Sequence, residues 1–303
     1  MREKTNASGH LCALVTILIW GTTFISTKVL LDSFTPVEIL FTRFLLGYAA
    51  LLLVRPRRLR TGGLRQEVWF AAAGLCGVTL YFLLENIALT LTMASNVGVI
   101  ISVAPIFTAL LAHFFLDGER LSPLFFVGCA AALGGILLIN WNGQNLDLNP
   151  AGDLLALLAA AVWAVYSVLM RKIGAFGQDN ILCTRRVFAW GLLFMVPALA
   201  FFGYSPDLGA LALPTTLPNL LYLGLGASAL CFVTWNRAVG LLGAVKTSVY
   251  IYLVPLITVL FSALILREPV TALELAGMAL TLVGLALSEG RLSRPRKEAL
   301  PCE

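Results

Sequence analysis

The chain has 303 residues, of which 59% are hydrophobic and only 12% charged, and its mean hydropathy is +0.90. Soluble chains carry about 25% charged residues, so this composition excludes an ordinary soluble domain and implies an all-α polytopic membrane protein. The net charge of +5 does not argue for a nucleic-acid partner, because the Lys and Arg residues sit in short loops between apolar runs, where topology determinants belong.

Ten apolar runs near spanning length follow one another, at roughly 11–31, 36–54, 68–90, 93–116, 121–141, 152–173, 180–202, 218–240, 243–266 and 271–289. The first follows Arg2 and Lys4, but its apolar stretch is too long for a signal peptide and no cleavage signature follows it, so it reads as retained. Arg55, Arg57, Arg58, Arg60, Arg65, Arg120, Arg171, Lys172 and the basic C-terminal tail fall on the same side as the N-terminus, whereas loops 142–151 and 203–217 carry no Lys or Arg. Both termini are therefore expected in the cytoplasm. Five of the six cysteines lie in apolar runs without Cys-x-x-Cys spacing and read as small packing residues. His10 and His113 stand apart, so no metal site and no cofactor is expected.

The chain contains its own echo. Shifted by about 150 positions, Phe82, Asn86, Val99, Pro105 and Thr108 meet Phe232, Asn236, Val249, Pro255 and Thr258. After a one-residue slip Glu119, Gly128 and Gly135 meet Glu268, Gly277 and Gly284. Earlier in each half Trp20 matches Trp163, Lys28 matches Arg171, and Thr42-Arg43 matches Thr184-Arg185. Residues 1–145 and 146–303 thus form two repeats of five helices each. Five is odd, so the second repeat enters the membrane from the opposite side, and the fold is expected as ten transmembrane helices in two inverted repeats, with a substrate site between them near the midplane. Small residues at Gly128, Ala131, Ala132 and Gly135 of the fifth helix and at Gly277 and Thr281 of the tenth suit close helix contacts, so each reads as a packing and scaffold helix. Glu119 and Glu268 read as structural charges near the start of the next helix.

The segments VAPIFTALLAHFFLDGERLSPLFFVGCAAALGGILLI and LVPLITVLFSALILREPVTALELAGMALTLVGLAL, with the opening ILIWGTTFISTKVLL, resemble the EamA type of the drug/metabolite transporter superfamily over essentially the whole chain. The resemblance implies a multi-pass bacterial inner-membrane transporter, often an exporter of amino acids, that works without ATP hydrolysis. It also implies that helices one, three, four, six, eight and nine surround a central cavity, and it favours a monomer.

Polar groups at membrane depth usually face a cavity or a partner. Glu85, one turn after Tyr81, reads either as a proton-coupling or amine-binding carboxylate or as a group near the water boundary or paired with a base. Its repeat partner is Trp235. The duplicated Asn86 and Asn236 read as interhelical hydrogen-bonding groups as well as site candidates. Positions where the repeats diverge suit an asymmetric substrate: Tyr81, Asn96, Lys246, Tyr250 and Tyr252, of which Lys246 and Tyr250 are expected on one helical face. Trp20 and Trp163, far from the interface belt, suit apolar side chains or an ammonium. Arg43, Arg185, Arg186 and Arg237 read as boundary or gating charges, with Glu38, Asp153 or Asp179 as partners. Without a Walker A sequence, a clustered metal set or a nucleophile with its base, an enzyme is not expected, nor is a channel.

The expected function is alternating-access export of small metabolites, foremost amino acids with aromatic or apolar side chains, by facilitated diffusion or proton antiport. The alternative is transport of a sugar, a nucleotide precursor or a cationic drug, with import open.

Overall fold

The computed structural model describes residues 2–92, 94–116, 123–141, 149–205, 208–261, 263–264 and 270–289. Every regular element among them is helical. Seven stretches are long and apolar enough to cross a membrane: Pro36–Val54, Leu64–Ala88, Val97–Phe115, Pro150–Gly174, Asn180–Phe202, Thr216–Leu242 and Ala244–Phe261. Three shorter apolar helices, Asn6–Trp20, Pro123–Ile139 and Ala272–Ser288, accompany them.

The helices in chain order are α1 (Arg2–Trp20), α2 (Thr23–Leu31), α3 (Pro36–Val54), α4 (Leu64–Gly74), α5 (Tyr81–Leu91), α6 (Ala94–Ile101), α7 (Ala104–Phe115), α8 (Pro123–Ile139), α9 (Pro150–Gly174) and α10 (Asn180–Phe202). They continue with α11 (Thr216–Leu221), α12 (Cys231–Leu242), α13 (Ala244–Ser248), α14 (Leu253–Phe261) and α15 (Ala272–Glu289). Helix starts are capped as the sequence dictates. Thr35 and Glu38 form a reciprocal capping box on α3, with Pro36 in the first turn, and Asn149 and Asp179 accept from the opening N–H groups of α9 and α10. Glu38 and Asp179, considered as partners for arginines inside helices, are held otherwise: Glu38 accepts from the backbone of Thr35 and Ser205, and Asp179 pairs with Arg55 at 3.1 Å.

Several apolar runs expected as single helices are interrupted. α4 passes into α5 through a π-type turn over Leu75–Leu80, where the Tyr81 N–H reaches back five residues to the Cys76 carbonyl. α11 passes into α12 the same way over Tyr222–Leu230, the Cys231 N–H reaching Gly226. Pro105 and Pro255 cannot donate to the carbonyls of Ile101 and Ile251. The chain meets the first defect with a break at Ser102-Val103 between α6 and α7, and the second with a 3-10 stretch, Val249–Tyr252, between α13 and α14. The first run also breaks, at Gly21-Thr22, whereas its repeat counterpart α9 runs unbroken for 25 residues.

α8 and α15 lie in backbone contact, as their small residues predict. A Cβ on Gly128 would stand 2.7 Å from the Gly284 carbonyl oxygen, and one on Gly277 would stand 2.6 Å from that of Gly135. The Thr281 hydroxyl donates both to Gly277 within its own helix and across to Ala132. Glu119 and Glu268 lie outside the described residues, as does the Lys28 side chain.

At the end of the bundle carrying loops 55–63 and 175–179, the Arg185 guanidinium donates to the carbonyls of Arg55 and Arg57, and Gln178 to that of Arg60. Arg186 pairs with Glu67, which also accepts from the Trp190 indole. Arg185 and Arg186 are therefore boundary fasteners, as their positions suggest.

The α8–α15 contact yields a stability test. Gly135→Leu forces the two backbones apart and is expected to cost about 1–3 kcal/mol, read as a lower thermal midpoint of the detergent-purified protein.

Candidate functional site

The Gly21-Thr22 break and the two π-type turns border one aromatic cluster. Trp20 ends α1 at the Gly21-Thr22 interruption, and its ring centroid lies 5.4 Å from Trp163 of α9 and 5.2 Å from Trp235 of α12. Trp163 in turn lies 4.9 Å from Tyr81 and 5.0 Å from Tyr166. Phe232 sits at the hub, within ring-contact distance of Trp20, Phe44, Phe82, Trp163, Tyr166 and Phe188. Each such pair contributes about 0.5–1.5 kcal/mol beyond area burial when the edges and faces alternate, and most of these pairs are edge-to-face or tilted. The packing is closed: Trp235 and Phe232 have no exposed surface.

The interruption beside Trp20 is satisfied by side chains. The Thr258 hydroxyl donates to the Gly21 carbonyl at 3.0 Å, and Tyr222 donates to the Ile19 carbonyl at 3.1 Å. Thr22 and Thr23 donate to the Ile19 and Trp20 carbonyls. The Trp20 indole donates to the Ala227 carbonyl within the π-type turn, at 3.1 Å. In hydrocarbon, irregular backbone survives only with such replacements.

Against this cluster stand a carboxylate and a guanidinium. Glu85, half-buried on α5, accepts from the Tyr81 hydroxyl at 3.3 Å. Arg43 of α3 is 8% exposed; its Nε donates to the Ser228 hydroxyl at 2.9 Å, and its guanidinium lies 5.4 and 5.1 Å from the Phe44 and Phe82 ring centroids. Tyr81 and Phe82 lie between the carboxylate and the guanidinium: the Tyr81 hydroxyl reaches Glu85, its ring packs 4.8 Å from Phe82, and Phe82 lies beside the guanidinium, while no direct ion pair joins the two charges among the described residues. The boundary reading of Arg43 is thus corrected: its face of α3 packs on the π-type turn of α11–α12, which draws the side chain inward instead of toward the loops.

The sequence candidates separate into groups. Trp20, Tyr81, Glu85, Trp163 and Trp235 come together. Asn236 is a tie: its amide oxygen accepts from Tyr166 at 2.7 Å and its nitrogen donates to Thr184 at 3.0 Å, joining α12, α9 and α10. Asn86 is half-buried next to Glu85. Tyr250 instead hydrogen-bonds His10 at 2.5 Å, and Tyr252 lies beside Cys129 of α8. Lys246 is half-buried on α13 and makes no ion pair among the described residues. The side chain of Asn96 lies outside the described residues. Sequence reasoning named Arg43 only as a boundary or gating charge and missed Tyr166, Ser228 and Phe232 as site residues. Of the last three only Phe232 left a signal, as the exact repeat of Phe82.

The Trp163 and Trp235 indole nitrogens are buried without a hydrogen-bond partner, as is the Tyr252 hydroxyl. A cavity of about 420 Å³ among Val99, Val103, Leu133, Leu137 and Leu157, with Asp153 on its wall, is apolar and lies apart from the aromatic cluster. Asp153 accepts from Thr92 rather than from an arginine. Among the described residues no three His, Cys, Asp or Glu side chains converge as a metal site would need.

The family model of the EamA-like transporter family matches residues 7–141 and again residues 150–289. An uncharacterized transporter of Archaeoglobus fulgidus is 30% identical over 291 residues, covering 94% of this chain and 99% of that protein. A probable terminal-alkyne amino-acid exporter of Streptantibioticus cattleyicolor is 28% identical, covering 94% of this chain and 95% of that protein. A probable amino-acid metabolite efflux pump of Escherichia coli is 25% identical, covering 91% and 93%. One solved crystal structure superposes with a TM-score of 0.76 at 22% identity, covering 93% of this chain and 98% of that one.

The tie at Asn236 makes a prediction of its own. Asn236→Ala leaves the Tyr166 hydroxyl without an acceptor inside the bundle and is expected to destabilise the fold by about 1–3 kcal/mol. Thermal unfolding of the purified protein reads this directly, and an unchanged midpoint contradicts the tie.

Proposed function

We propose that this chain, which belongs to the EamA-like transporter family, exports small metabolites by alternating access, and that its foremost substrates are amino acids with aromatic or apolar side chains. The observation that carries the proposal is the cluster of Trp20, Tyr81, Trp163 and Trp235 beside Glu85, built where several helices depart from α geometry. An apolar or aromatic side chain has rings to pack against there, and an ammonium has both aromatic faces and a carboxylate. The names of two relatives, an amino-acid exporter and an amino-acid metabolite efflux pump, agree with this reading.

In the proposed arrangement the seven long spans and three shorter apolar helices form ten transmembrane segments, in two inverted repeats over 1–145 and 146–303. The protein then lies in the bacterial inner membrane as a monomer with both termini in the cytoplasm. Arg55, Arg57 and Arg60 gather with Gln178, Asp179 and Arg185 at one end of the bundle, which fits a cytoplasmic face. Rings packed this tightly admit a substrate only by parting, and the joints at Gly21-Thr22, Leu75–Leu80 and Tyr222–Leu230 lie where parting must occur. Exchange of roles between inverted halves then opens the site to either side.

Glu85, faced by Tyr81 and Arg43, is the proposed coupling group if export is proton antiport. The same carboxylate within an aromatic cage keeps a second reading in view, an organic cation as cargo.

Transport by the purified protein in liposomes loaded with an amino-acid panel tests the proposal. Phenylalanine, tryptophan and leucine are expected to leave faster than from protein-free liposomes, and Trp163→Ala is expected to slow them about tenfold through lost ring contacts. If efflux follows an inward proton gradient and Glu85→Gln removes that dependence, the mechanism is antiport; gradient-independent efflux makes it facilitated diffusion. Movement of organic cations but of no amino acid overturns the substrate assignment.

A further inference from the structure

We infer that Arg43 is the carboxylate-binding residue of the substrate site, so that Arg43 and Glu85 together select a zwitterion, an α-amino acid, over a simple amine or organic cation. The inference rests on the amino-acid reading above and makes it specific.

Its first support is an incomplete guanidinium. Among the described residues, Nε to Ser228 is the one hydrogen bond Arg43 makes. The Phe44 and Phe82 rings lie beside the guanidinium, its carbon 5.4 and 5.1 Å from their centroids. A cation held inside a membrane bundle usually has an anion or several acceptors. Arg185, matched to Arg43 by the internal repeat and equally buried at 8% exposed, has them: its two terminal nitrogens donate to the carbonyls of Arg55 and Arg57. The scaffold therefore satisfies one member of the duplicated pair and leaves the other with its fork unused. A guanidinium fork matches a carboxylate in two parallel hydrogen bonds.

A second support is the placement of Glu85. It accepts from the Tyr81 hydroxyl, and the Tyr81 ring packs 4.8 Å from Phe82, the ring beside the Arg43 guanidinium; among the described residues no direct ion pair joins Glu85 to Arg43. Opposite charges set on one ring cluster suit a molecule carrying both signs: with the rings parted, its carboxylate turns to Arg43 and its ammonium to Glu85 and Tyr81. The α-amino acid is the small metabolite whose two charges are separated by a single carbon.

A third support is independent of both charges. The Trp163 and Trp235 indole N–H groups, 3% and 0% exposed, have no acceptor. They belong to the same ring cluster, which runs from Arg43 through Phe82 and Tyr81 to Trp163. Buried donors without partners favour a ligand that brings acceptor oxygens. A carboxylate does so, and an alkylammonium does not.

The test compares ligands that differ in one charge, by calorimetric titration of the detergent-purified protein. L-Phenylalanine is expected to bind at least about tenfold tighter than L-phenylalaninamide, the scale of one charge-assisted contact. Arg43→Gln is expected to bring that ratio close to one. Glu85→Gln is expected to reduce preference for L-phenylalanine over 3-phenylpropionate while leaving the amide discrimination. Arg43→Lys, which keeps the charge and loses the fork, is expected to retain part of the preference and serves where Arg43→Gln does not fold.

Two results overturn the inference and leave the amino-acid reading standing: wild-type protein that binds the amide as tightly as the amino acid, or folded Arg43→Gln that keeps the tenfold preference. If wild-type protein binds neither L-phenylalanine nor L-leucine, the amino-acid reading falls and the inference with it.

Discussion

Hydrocarbon offers no hydrogen bonds, so a chain within it leaves α-helical geometry only where its own side chains replace the lost partners. That constraint explains where this bundle bends and what stands at each bend. At Gly21-Thr22 the freed carbonyls are met by Thr258, Tyr222, Thr22 and Thr23, drawn from three different segments. Glycine at position 21 also has a steric cause, since a Cβ there would meet the side chain of Ile257. The replacement bonds come from hydroxyl groups, which can be exchanged more readily than a helical ladder. The bundle is therefore most easily rearranged at the aromatic cluster, and stiffest at α8 and α15, where backbone meets backbone.

Duplication supplies the frame, and departures from it mark the site. The π-type turns at Leu75–Leu80 and Tyr222–Leu230 correspond, as do the interruptions next to Pro105 and Pro255. By contrast the break after Trp20 has no counterpart in the continuous α9, although Trp163 matches Trp20. Glu85 faces Trp235 across the repeat, and Arg43 has unused donors where Arg185 has two carbonyls. A symmetric frame can exchange inward and outward roles, but it cannot recognise an asymmetric molecule with symmetric contacts. Some departures, Tyr81 and Glu85 among them, lie at the aromatic cluster, whereas Tyr250 and Tyr252 lie at His10 and Cys129 instead.

Much of this was legible in the sequence. Run lengths led to an all-helical membrane protein, and small residues marked the fifth and tenth helices as close packers, though their pairing as α8 and α15 came only with the structure. Tyr81, Glu85, Trp20 and Trp163 were readable because aromatic or charged groups at membrane depth need a reason to be there. Lys246 and Tyr250 were placed on one face by their spacing of four residues, and Tyr252 by divergence between the repeats. The 3-10 stretch at Val249–Tyr252 advances about 120° per residue rather than 100°, so the faces fall elsewhere and Tyr250 meets His10. Arg43 escaped for a different reason. Distance along α3 from its capped start suggests a boundary charge, and only the packing of α3 on the π-type turn carries it to Ser228. No local pattern encodes that contact.

The cost of keeping Arg43 bears on how a transporter releases its cargo. A guanidinium fully paired in the resting bundle would give a stable scaffold and no reason to bind substrate. An isolated one would be too costly to bury, by several kcal/mol. Aromatic faces and a single hydroxyl lie between these limits: cation–π contacts contribute about 0.5–2 kcal/mol each, enough to hold the charge and less than a bidentate carboxylate provides. Glu85 tempers the gain further, because the same carboxylate that attracts an ammonium repels the incoming carboxylate. On the proposed reading, binding is then favourable without being so tight that release becomes slow, and parting of the rings around Phe232 would expose both charges to water and weaken their hold on the cargo. Selectivity and release would then follow from one arrangement of charges that partly compensate each other.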